Sequence, residues 1–590
     1  MKGCLVDSCT NSAKTEDDRF LANLYRGRLR WDLVCPFPEQ SAEERATGDL
    51  AVREMLDFVL ATVDPELVDE TRRLPEKFIS ELHGRGYLKL CLDRALGGLG
   101  LSQHNAFRVI SAAMTWSVSA AYVIAIHHGL GIAGILPAIP PGPMRELILR
   151  GLSRGAISGW ADTEVTGAAN NLPTTTATPI DDGTSYLLNG NKVFIGNGSV
   201  AREMIVTATV RTDAVEEAGL FLVDTRTVGY RVESLHDVLG FRGLPLAAIA
   251  LDDVLVPAER MLAGRDEHWR LAPLLEPISA LGRMHVISGA ALAAGRLCLH
   301  WSRQFINRRY VDCRHLGDFD QIQRVLSATA AEVFAMESVA HWCLIGDDTA
   351  NLSDRHFERV ASKNINSLTG WRIVDRTVSL LAAEGLETAG SKARRGAIPV
   401  PLERFFRDIR GLRVAGAVDF HVDQRAAESF LTQLYYSDPT PGDSGQVGPE
   451  LRLPVPGLTG RNQGHLQQTA QWTREFAELC RELVCGHPDP QDLFAQQRLL
   501  ILLSGVGNEL LTMSLVLARA ASTRGEENDG PQGLADIYCT TARHRIAGMW
   551  HQIRDNQKVD HTAVSDALLH GDRLSHLFQD ALLCAPPERG

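Results

Sequence analysis

The chain has 590 residues, of which 45% are hydrophobic and 22% charged, and its formal net charge is −12. This composition is ordinary for a globular protein and excludes the disordered, collagen-like and coiled-coil classes. Lys and Arg never run longer than two residues, whereas binding to DNA or RNA needs a clustered basic face. We therefore expect no nucleic-acid partner.

Eleven cysteines are scattered along the chain, without a CxxC pair or a Cys/His group at zinc spacing. We therefore predict no metal site. The first twenty residues lack the apolar core of a secretory signal, and no uncharged apolar run reaches 18 residues. These features favour a cytoplasmic protein in a reducing compartment, without a membrane partner.

The periodicity of apolar residues changes twice along the chain. A polar start is followed by helical spacing, then by short β-branched runs between Asn-Gly and Asp-Gly turns, and then by helical spacing again. A late stretch rich in Gly, Pro, Asp and Ser is typical of a linker. The predicted segments are an N-terminal arm (1–40), a helical domain (41–155), a β-domain (156–263), a helical bundle (264–432), a linker (433–457) and an additional helical domain (458–590).

Two common motifs occur outside the context that their chemistry needs. Residues 129–134 match GxGxxG, but the surrounding pattern is helical rather than that of a strand–turn–helix nucleotide site. Residues 151–155 match GxSxG, but a helical pattern precedes them where a hydrolase needs a strand. We interpret the first as close helix packing and the second as the end of a helix. Clefts beside the β-domain are the better place for a small-molecule site.

Segments in and around the predicted β-domain together resemble one family. Residues 160–168 (WADTEVTGA) and 188–198 (LNGNKVFIGNG) resemble the TEPGAGSD loop and the LNGxKxxITNG strand–turn–strand of the acyl-CoA dehydrogenase family. The matches follow the family order and cover about residues 41–430. The other matching segments are residues 96–101 (LGGLGL), 239–243 (LGFRG), 253–262 (DVLVPAERML), 313–317 (CRHLG) with Gln323, and 406–408 (FRD).

The resemblance implies an α+β fold of the acyl-CoA dehydrogenase type. A helical N-terminal domain, a central β-barrel domain and a C-terminal four-helix bundle would be followed here by an extra helical segment. FAD would lie between the β-domain and the bundle of a homodimer or homotetramer, because strand edges offer N–H and C=O groups to the polar rim of a flavin. The implied cofactor-binding residues are Trp160, Asp162, Thr163, Ala168, Phe194, Ile195, Gly196, Arg314, Gln323 and Ser379.

The sequence departs from the family at the base that removes a proton from the substrate. The two places where members carry a glutamate correspond to Gly416 and to Gly282, which directly precedes Arg283. A general base must reach the proton that it takes, and glycine has no side chain for this. Asp419 and Glu276 are the candidate replacements. The candidate catalytic positions are thus Arg283, Asp419 and the missing base at Gly416.

We therefore predict an atypical FAD-dependent oxidoreductase of secondary metabolism, whose acyl substrate is presented free, on CoA or on a carrier protein. Loss of CO₂ from a β-keto acid or thioester would make the enolate without a base, and Arg283 would stabilise it. Relatives that build epoxyketones in peptide biosynthesis combine decarboxylation, dehydrogenation and mono-oxygenation, and Gly196, where the family has Thr, would leave room for oxygen chemistry. The alternatives are an acyl-CoA dehydrogenase with a displaced base, a flavin N- or ring mono-oxygenase, and an inactive scaffold.

Overall fold

The computed structural model describes residues 19–170, 172–211, 216–263, 272–345, 355–437, 451–523, 529–555, 560–571 and 573–580. A helical segment, a sheet and a longer helical segment follow one another along the chain. One large hydrophobic cluster runs through both helical segments, and a second lies within the sheet. The predicted order of helical, β and helical segments is therefore confirmed.

The first helical segment is built around a helix that is apolar on all sides. Serines 41, 102 and 117 each accept a hydrogen bond from a backbone N–H in the first turn of the helix that follows, which satisfies groups that a helix start leaves unpaired. The helices are α1 (Phe20–Tyr25), α2 (Ala42–Thr62), α3 (Pro65–Thr71), α4 (Glu76–Gly84), α5 (Gln103–Met114), α6 (Val118–Gly129), α7 (Ile132–Ile135) and α8 (Pro143–Ser153). All twelve residues of α6 are buried, as expected of a core helix.

The segment predicted as a polar arm contains a buried helix. All six residues of α1 are buried, the Leu21 N–H donates to the Glu358 carboxylate (2.8 Å), and Tyr25 stacks on Phe430 with ring centroids 4.2 Å apart. The arm prediction is therefore wrong for α1, because its partners lie more than three hundred residues further along the chain. Residues 1–18 lie outside the described residues.

The β-domain is a mixed eight-stranded sheet. Its strands are β1 (Ser158–Ala161), β2 (Thr176–Ile180), β3 (Ser185–Ile195), β4 (Glu203–Arg211), β5 (Glu216–Asp224), β6 (Tyr230–Leu235), β7 (Ala247–Pro257) and β8 (Met261–Ala263). The strand order is β6-β7-β3-β2-β4-β5-β8, and β1 pairs in parallel with β4. In the part of the chain that the structure describes, β6 and β8 do not pair, so the predicted closed barrel is wrong. Turn signals indicate that strands exist, but not whether the ends of a sheet meet.

The second helical segment begins with a helix that changes its winding. A π-helical turn, Met284–Ser288, joins its first two helices, and such turns are frequent at functional sites. The elements are α9 (Ala272–Arg283), α10 (Gly289–Arg308), the hairpin strands β9 (Tyr310–Val311) and β10 (Arg314–His315), α11 (Asp320–Leu344), α12 (His356–Leu381), α13 (Ala383–Leu386), α14 (Ala389–Arg394), α15 (Leu402–Gly411) and α16 (Asp419–Leu431). Helices α10, α11 and α12 pack against one another, and α16 packs against α12.

The described chain ends in further helices, two of which pack onto this bundle. They are α17 (Gly460–Gly486), α18 (Pro490–Phe494), α19 (Gln497–Ser522), α20 (Asp529–Arg554) and α21 (His561–Leu569). Helix α19 contacts both α11 and α16, so this segment shares the core of the bundle. Much of the predicted linker, residues 438–450, lies outside the described residues.

Two stretches of the described chain have the length and apolar composition of a membrane span, Val118–Ala138 and Gln497–Ser522. Their apolar windows are 83% and 78% buried inside the protein. Core helices of globular proteins have the same properties, so packing accounts for their apolar character.

Candidate functional site

Two strand ends form one surface where the sheet meets the helices. Residues 160–163 include the end of β1 and the two residues after it, and residues 193–196 include the end of β3 and the residue after it. The Val193 N–H donates to the Thr163 carbonyl (2.9 Å), so the two segments lie side by side. We call residues 160–163 and 193–196 the strand face. The structure thus brings together most of the residues that the resemblance implied.

The strand face exposes aromatic rings. Phe194 has a φ of +58°, is 54% exposed and stacks on His236 with ring centroids 4.3 Å apart. Trp160 is half-buried, whereas Ile195 is buried in the sheet core, so that only its backbone belongs to the face. Ala168 is exposed on the loop that follows. A non-glycine residue in the left-handed region is often part of a functional site.

A buried ion pair fixes the loop after β1. Lys192 and Glu164 are almost fully buried, and their charged atoms lie 2.9 Å apart. Burial opposes ionisation of Glu164, but hydrogen bonds from Thr174, Thr175 and Lys192 outweigh it and lower the pKa of Glu164 to about 2. Lys192 also donates to the Asp162 carbonyl (3.2 Å). The pair therefore holds the backbone of the strand face in place.

Arg283 joins the helices to the strand face. It ends α9, and its Nε donates to the Gly416 carbonyl (3.0 Å). Burial lowers the pKa of Arg283 from its ordinary value, while the nearby carboxylates of Glu276 and Asp162 raise it. Asp162, whose Oδ1 accepts from the Thr207 hydroxyl (2.8 Å), is exposed on the strand face. The two candidate positions Arg283 and Gly416 therefore meet at one place.

Two of the glycines that replace functional groups in the resemblance, Gly282 and Gly196, have close neighbours. A Cβ at Gly282 would lie 2.6 Å from the Gly129 carbonyl oxygen, and a Cβ at Gly196 would lie 2.5 Å from the Ile126 Cδ1. Residues 129–134 are thus a helix-packing motif, as interpreted from the sequence. The Ile126 side chain from α6 lies beside Gly196, where the resemblance places a threonine.

Asp419 has a local structural role. Arg413 Nε donates to its Oδ2 (2.6 Å), and the Phe420 N–H donates to its Oδ1 (2.8 Å). Both carboxylate oxygens are therefore engaged at the start of α16. In place of the expected catalytic base, the structure shows an ion-paired residue at the start of a helix.

Lys363 is a functional candidate that the sequence did not indicate. It is fully buried in α12, and its Nζ donates to the Ala417 carbonyl (2.8 Å) beside Gly416. A lysine among the polar neighbours Ser362 and Asn364 is typical of a solvent-facing helix side. No local signal in the sequence indicates that this side is buried.

The remaining predicted cofactor residues lie on the bundle. Arg314, on the hairpin, places its guanidinium 4.3 Å from the centroid of the Phe319 ring. Gln323, near the start of α11, donates to the Gly317 carbonyl (3.0 Å), and Ser379, near the end of α12, donates to the Asp375 carbonyl. All three are exposed, on the bundle rather than on the strand face.

The FRD segment forms a structural junction. Arg407 makes two hydrogen bonds to the Asp69 carboxylate, each 2.8 Å long, and thereby links α15 to α3. Asp408 is buried and accepts from the Phe241 N–H (2.6 Å), and burial raises the pKa of Asp408 to about 6. This segment therefore holds the LGFRG loop against the helices.

Comparison with known proteins matches two segments of the chain to family models. Residues 159–254 match the acyl-CoA dehydrogenase middle domain, and residues 280–422 match the acyl-CoA dehydrogenase C-terminal domain. The chain is 26% identical over 585 residues to the probable acyl-CoA dehydrogenase FadE10 of Mycobacterium tuberculosis, covering 93% of this chain and 88% of that protein. It is 24% identical over 567 residues to the mitochondrial very long-chain specific acyl-CoA dehydrogenase of Mus musculus, covering 90% and 84%.

Solved structures share the fold. An acyl-CoA dehydrogenase from Bacillus anthracis, complexed with FAD, has a TM-score of 0.74 at 19% identity and covers 92% of this chain and 94% of its own. Butyryl-CoA dehydrogenase from Megasphaera elsdenii has a TM-score of 0.57 at 18% identity and covers 67% of this chain and 99% of its own.

The two matched domains and the fold are those of acyl-CoA dehydrogenases, a class of flavin-dependent oxidoreductases. Residues 159–254 and 280–422 of the chain therefore match the middle and C-terminal domains of acyl-CoA dehydrogenases.

Proposed function

We propose that the strand face holds FAD, the cofactor present in the Bacillus anthracis structure. Phe194 and Trp160 offer flat apolar surfaces next to a strand edge, and such an edge can hydrogen-bond the polar rim of a flavin. The anchored Asp162–Thr163 backbone extends this edge. The residues present therefore fit the group. Bound FAD supplies an acceptor for a hydride.

We infer further that the substrate is a β-keto acid or its thioester, which is decarboxylated and oxidised to an enone. The observation that carries this proposal is the Arg283–Gly416 contact, which places a cation beside a position that lacks a carboxylate. Loss of CO₂ breaks the bond to the carboxylate and leaves the electron pair on the α-carbon, so no base is required. The Arg283 guanidinium stabilises the enolate oxygen. FAD bound at the strand face would then supply the acceptor for the hydride lost from the adjacent carbon.

The proposal is tested with the FAD-loaded protein under anaerobic conditions. A β-keto acid with an alkyl substituent at its α-carbon is compared with an acyl-CoA of the same chain length. We expect CO₂ release and loss of oxidised-flavin absorbance with the keto acid only, and a decrease of about 100-fold in the Arg283→Met variant. Desaturation of the acyl-CoA without CO₂ release from the keto acid would contradict the substrate class, and failure to bind FAD would contradict the cofactor.

A dehydrogenase with a displaced base is the second candidate. The carboxylates of Glu276 and Asp162 are close enough to Arg283 to raise its pKa, and both side chains are exposed. On this proposal the Asp162→Asn or Glu276→Gln variant abolishes acyl-CoA desaturation while FAD binding is retained. If both variants keep wild-type rates, neither residue is the base.

We also propose a cytoplasmic homodimer or homotetramer in which Arg314, Gln323 and Ser379 contact the FAD of a neighbouring subunit. Their exposure on the bundle supports this arrangement. Sedimentation velocity of the FAD-loaded protein tests it, and a monomer at all concentrations would contradict it.

A further inference from the structure

Lys363 lies in the first third of α12, directly behind the loop of residues 412–418. Its side chain is fully buried, and its Nζ donates to the carbonyls of Ala417 (2.8 Å) and Arg413 (3.4 Å). Among the described residues no carboxylate lies within ion-pair distance of this Nζ. Burial lowers the pKa of Lys363 to about 8, although Asp419 acts in the opposite direction. A buried cation that contacts only carbonyl groups is costly for stability.

The loop that Lys363 contacts has an unusual backbone. Gly416 has a φ of +66° and Ala417 a φ of +79°. An alanine in the left-handed region is disfavoured by about 1 kcal/mol or more. Arg283 donates to the Gly416 carbonyl from α9, and Lys363 donates to the next carbonyl from α12. Two cations on different helices therefore hold two consecutive peptide groups.

We propose that Lys363 is a positioning residue that fixes the 412–418 loop and, through it, the Arg283 guanidinium. This inference rests on the proposed FAD-dependent function. Lys363 acts from behind the loop and does not touch the substrate. Its neighbour Asn364 supports the far end of the same loop, because its Nδ2 donates to the Asp419 carbonyl (2.7 Å).

The chain offers a matched control. Lys392 is 1% exposed, and its Nζ donates to the Val400 carbonyl (2.6 Å). Burial lowers its pKa, as it does for Lys363. Lys392 lies in α14, and its carbonyl partner belongs to the segment before α15. The Lys392→Met variant thus removes the same kind of buried contact without touching the 412–418 loop.

The experiment compares FAD-loaded Lys363→Met and Lys392→Met with the wild-type protein. Sulfite is the probe, because this anion adds reversibly to the flavin ring and bleaches its colour. We expect Lys363→Met to bind FAD normally. It should bind sulfite about tenfold more weakly, and its flavin should be reduced by substrate about tenfold more slowly. A small misplacement of a charged group has effects of this size. Lys392→Met should leave both values within about twofold.

Hydrogen exchange of residues 411–419 gives a readout that is independent of flavin. It should accelerate in Lys363→Met and stay unchanged in Lys392→Met. The inference is overturned if Lys363→Met keeps the exchange and the sulfite affinity of the wild type, or if both variants lose sulfite affinity equally. If Lys363→Met does not fold, Asn364→Leu takes its place with the same expectations. A wild-type protein that binds no FAD contradicts the proposed function, while the exchange data still decide the role of Lys363.

Discussion

Ala382 is a single residue in a conformation that suits glycine. It follows α12 with a φ of +52° and a ψ of −132°, a region that side chains rarely adopt. We expect Ala382→Gly to raise the free energy of unfolding by about 1 kcal/mol. The control is Ala383→Gly, one residue further on at the start of α13, which should lower it by up to about 1 kcal/mol. Denaturant unfolding measures both, and destabilisation by Ala382→Gly would refute the strain argument.

The two glycines beside Arg283 differ in the space around them. A Cβ at Gly416 would meet the Arg283 Cγ at 3.5 Å, an ordinary contact, whereas a Cβ at Gly282 would meet the Gly129 backbone. We expect Gly416→Glu to fold with a loss of about 1 kcal/mol from its positive φ, and Gly282→Glu to lose about 3 kcal/mol or more. Thermal unfolding compares the two variants. Equal losses would show that the α6–α9 crossing can open.

At the scale of elements, the Lys192–Glu164 pair joins β3 to the loop after β1. Glu164→Gln leaves the Lys192 charge buried without its partner, and we expect a loss of about 3–5 kcal/mol. The matched control is the exposed pair between Arg211 and Glu216, where Glu216→Gln should change stability by less than about 1 kcal/mol. Denaturant unfolding measures the free energy of unfolding of the two variants. A small loss of stability in Glu164→Gln would show that water reaches Lys192.

Local patterns in the sequence indicate which elements form, and they fail where distant segments meet. Apolar periodicity and turn signals predict the helical, β and helical order, whereas the residues of the strand face are implied by the family resemblance. They do not indicate that the sheet stays open, that later helices cover α1, or that the charge of Lys363 points inward. The glycine at position 416 is visible in the sequence, whereas the contact of Ile126 with Gly196 depends on how α6 crosses the site.

At the scale of the whole molecule, the C-terminal helices connect to the site through the core. Asp423, one turn after Asp419 in α16, accepts hydrogen bonds from Ser504 (3.0 Å) and Asn508 (3.1 Å) of α19. Burial raises the pKa of Asp423 to about 6. The segment predicted as an additional helical domain therefore supports the helix that follows the 412–418 loop, and removing it would expose a buried carboxyl group.

The helical core also contains five buried histidines. Burial lowers the pKa of each of them from the ordinary value of 6.5. The pKa is lowered to about 4 for His104 and His127, to about 3 for His128 and His341, and well below 6.5 for His285. Between these values and 6.5 the unfolded chain binds more protons than the folded one, so stability is lost as the pH falls. Each histidine removes up to about 1.4 kcal/mol per pH unit below 6.5.

We therefore expect the free energy of unfolding to fall steeply between pH 6.5 and about pH 5. The variant His104→Phe tests this cause, because both ring nitrogens of His104 lack a hydrogen-bond partner within the described structure. It keeps a ring of similar shape while removing one titrating group. Its stability at pH 7.5 should be unchanged or higher, and its loss of stability below pH 6.5 should be smaller by about 1 kcal/mol per pH unit. Denaturant unfolding across this range measures the slope, and a wild-type slope in His104→Phe would show that His104 is protonated in the folded protein.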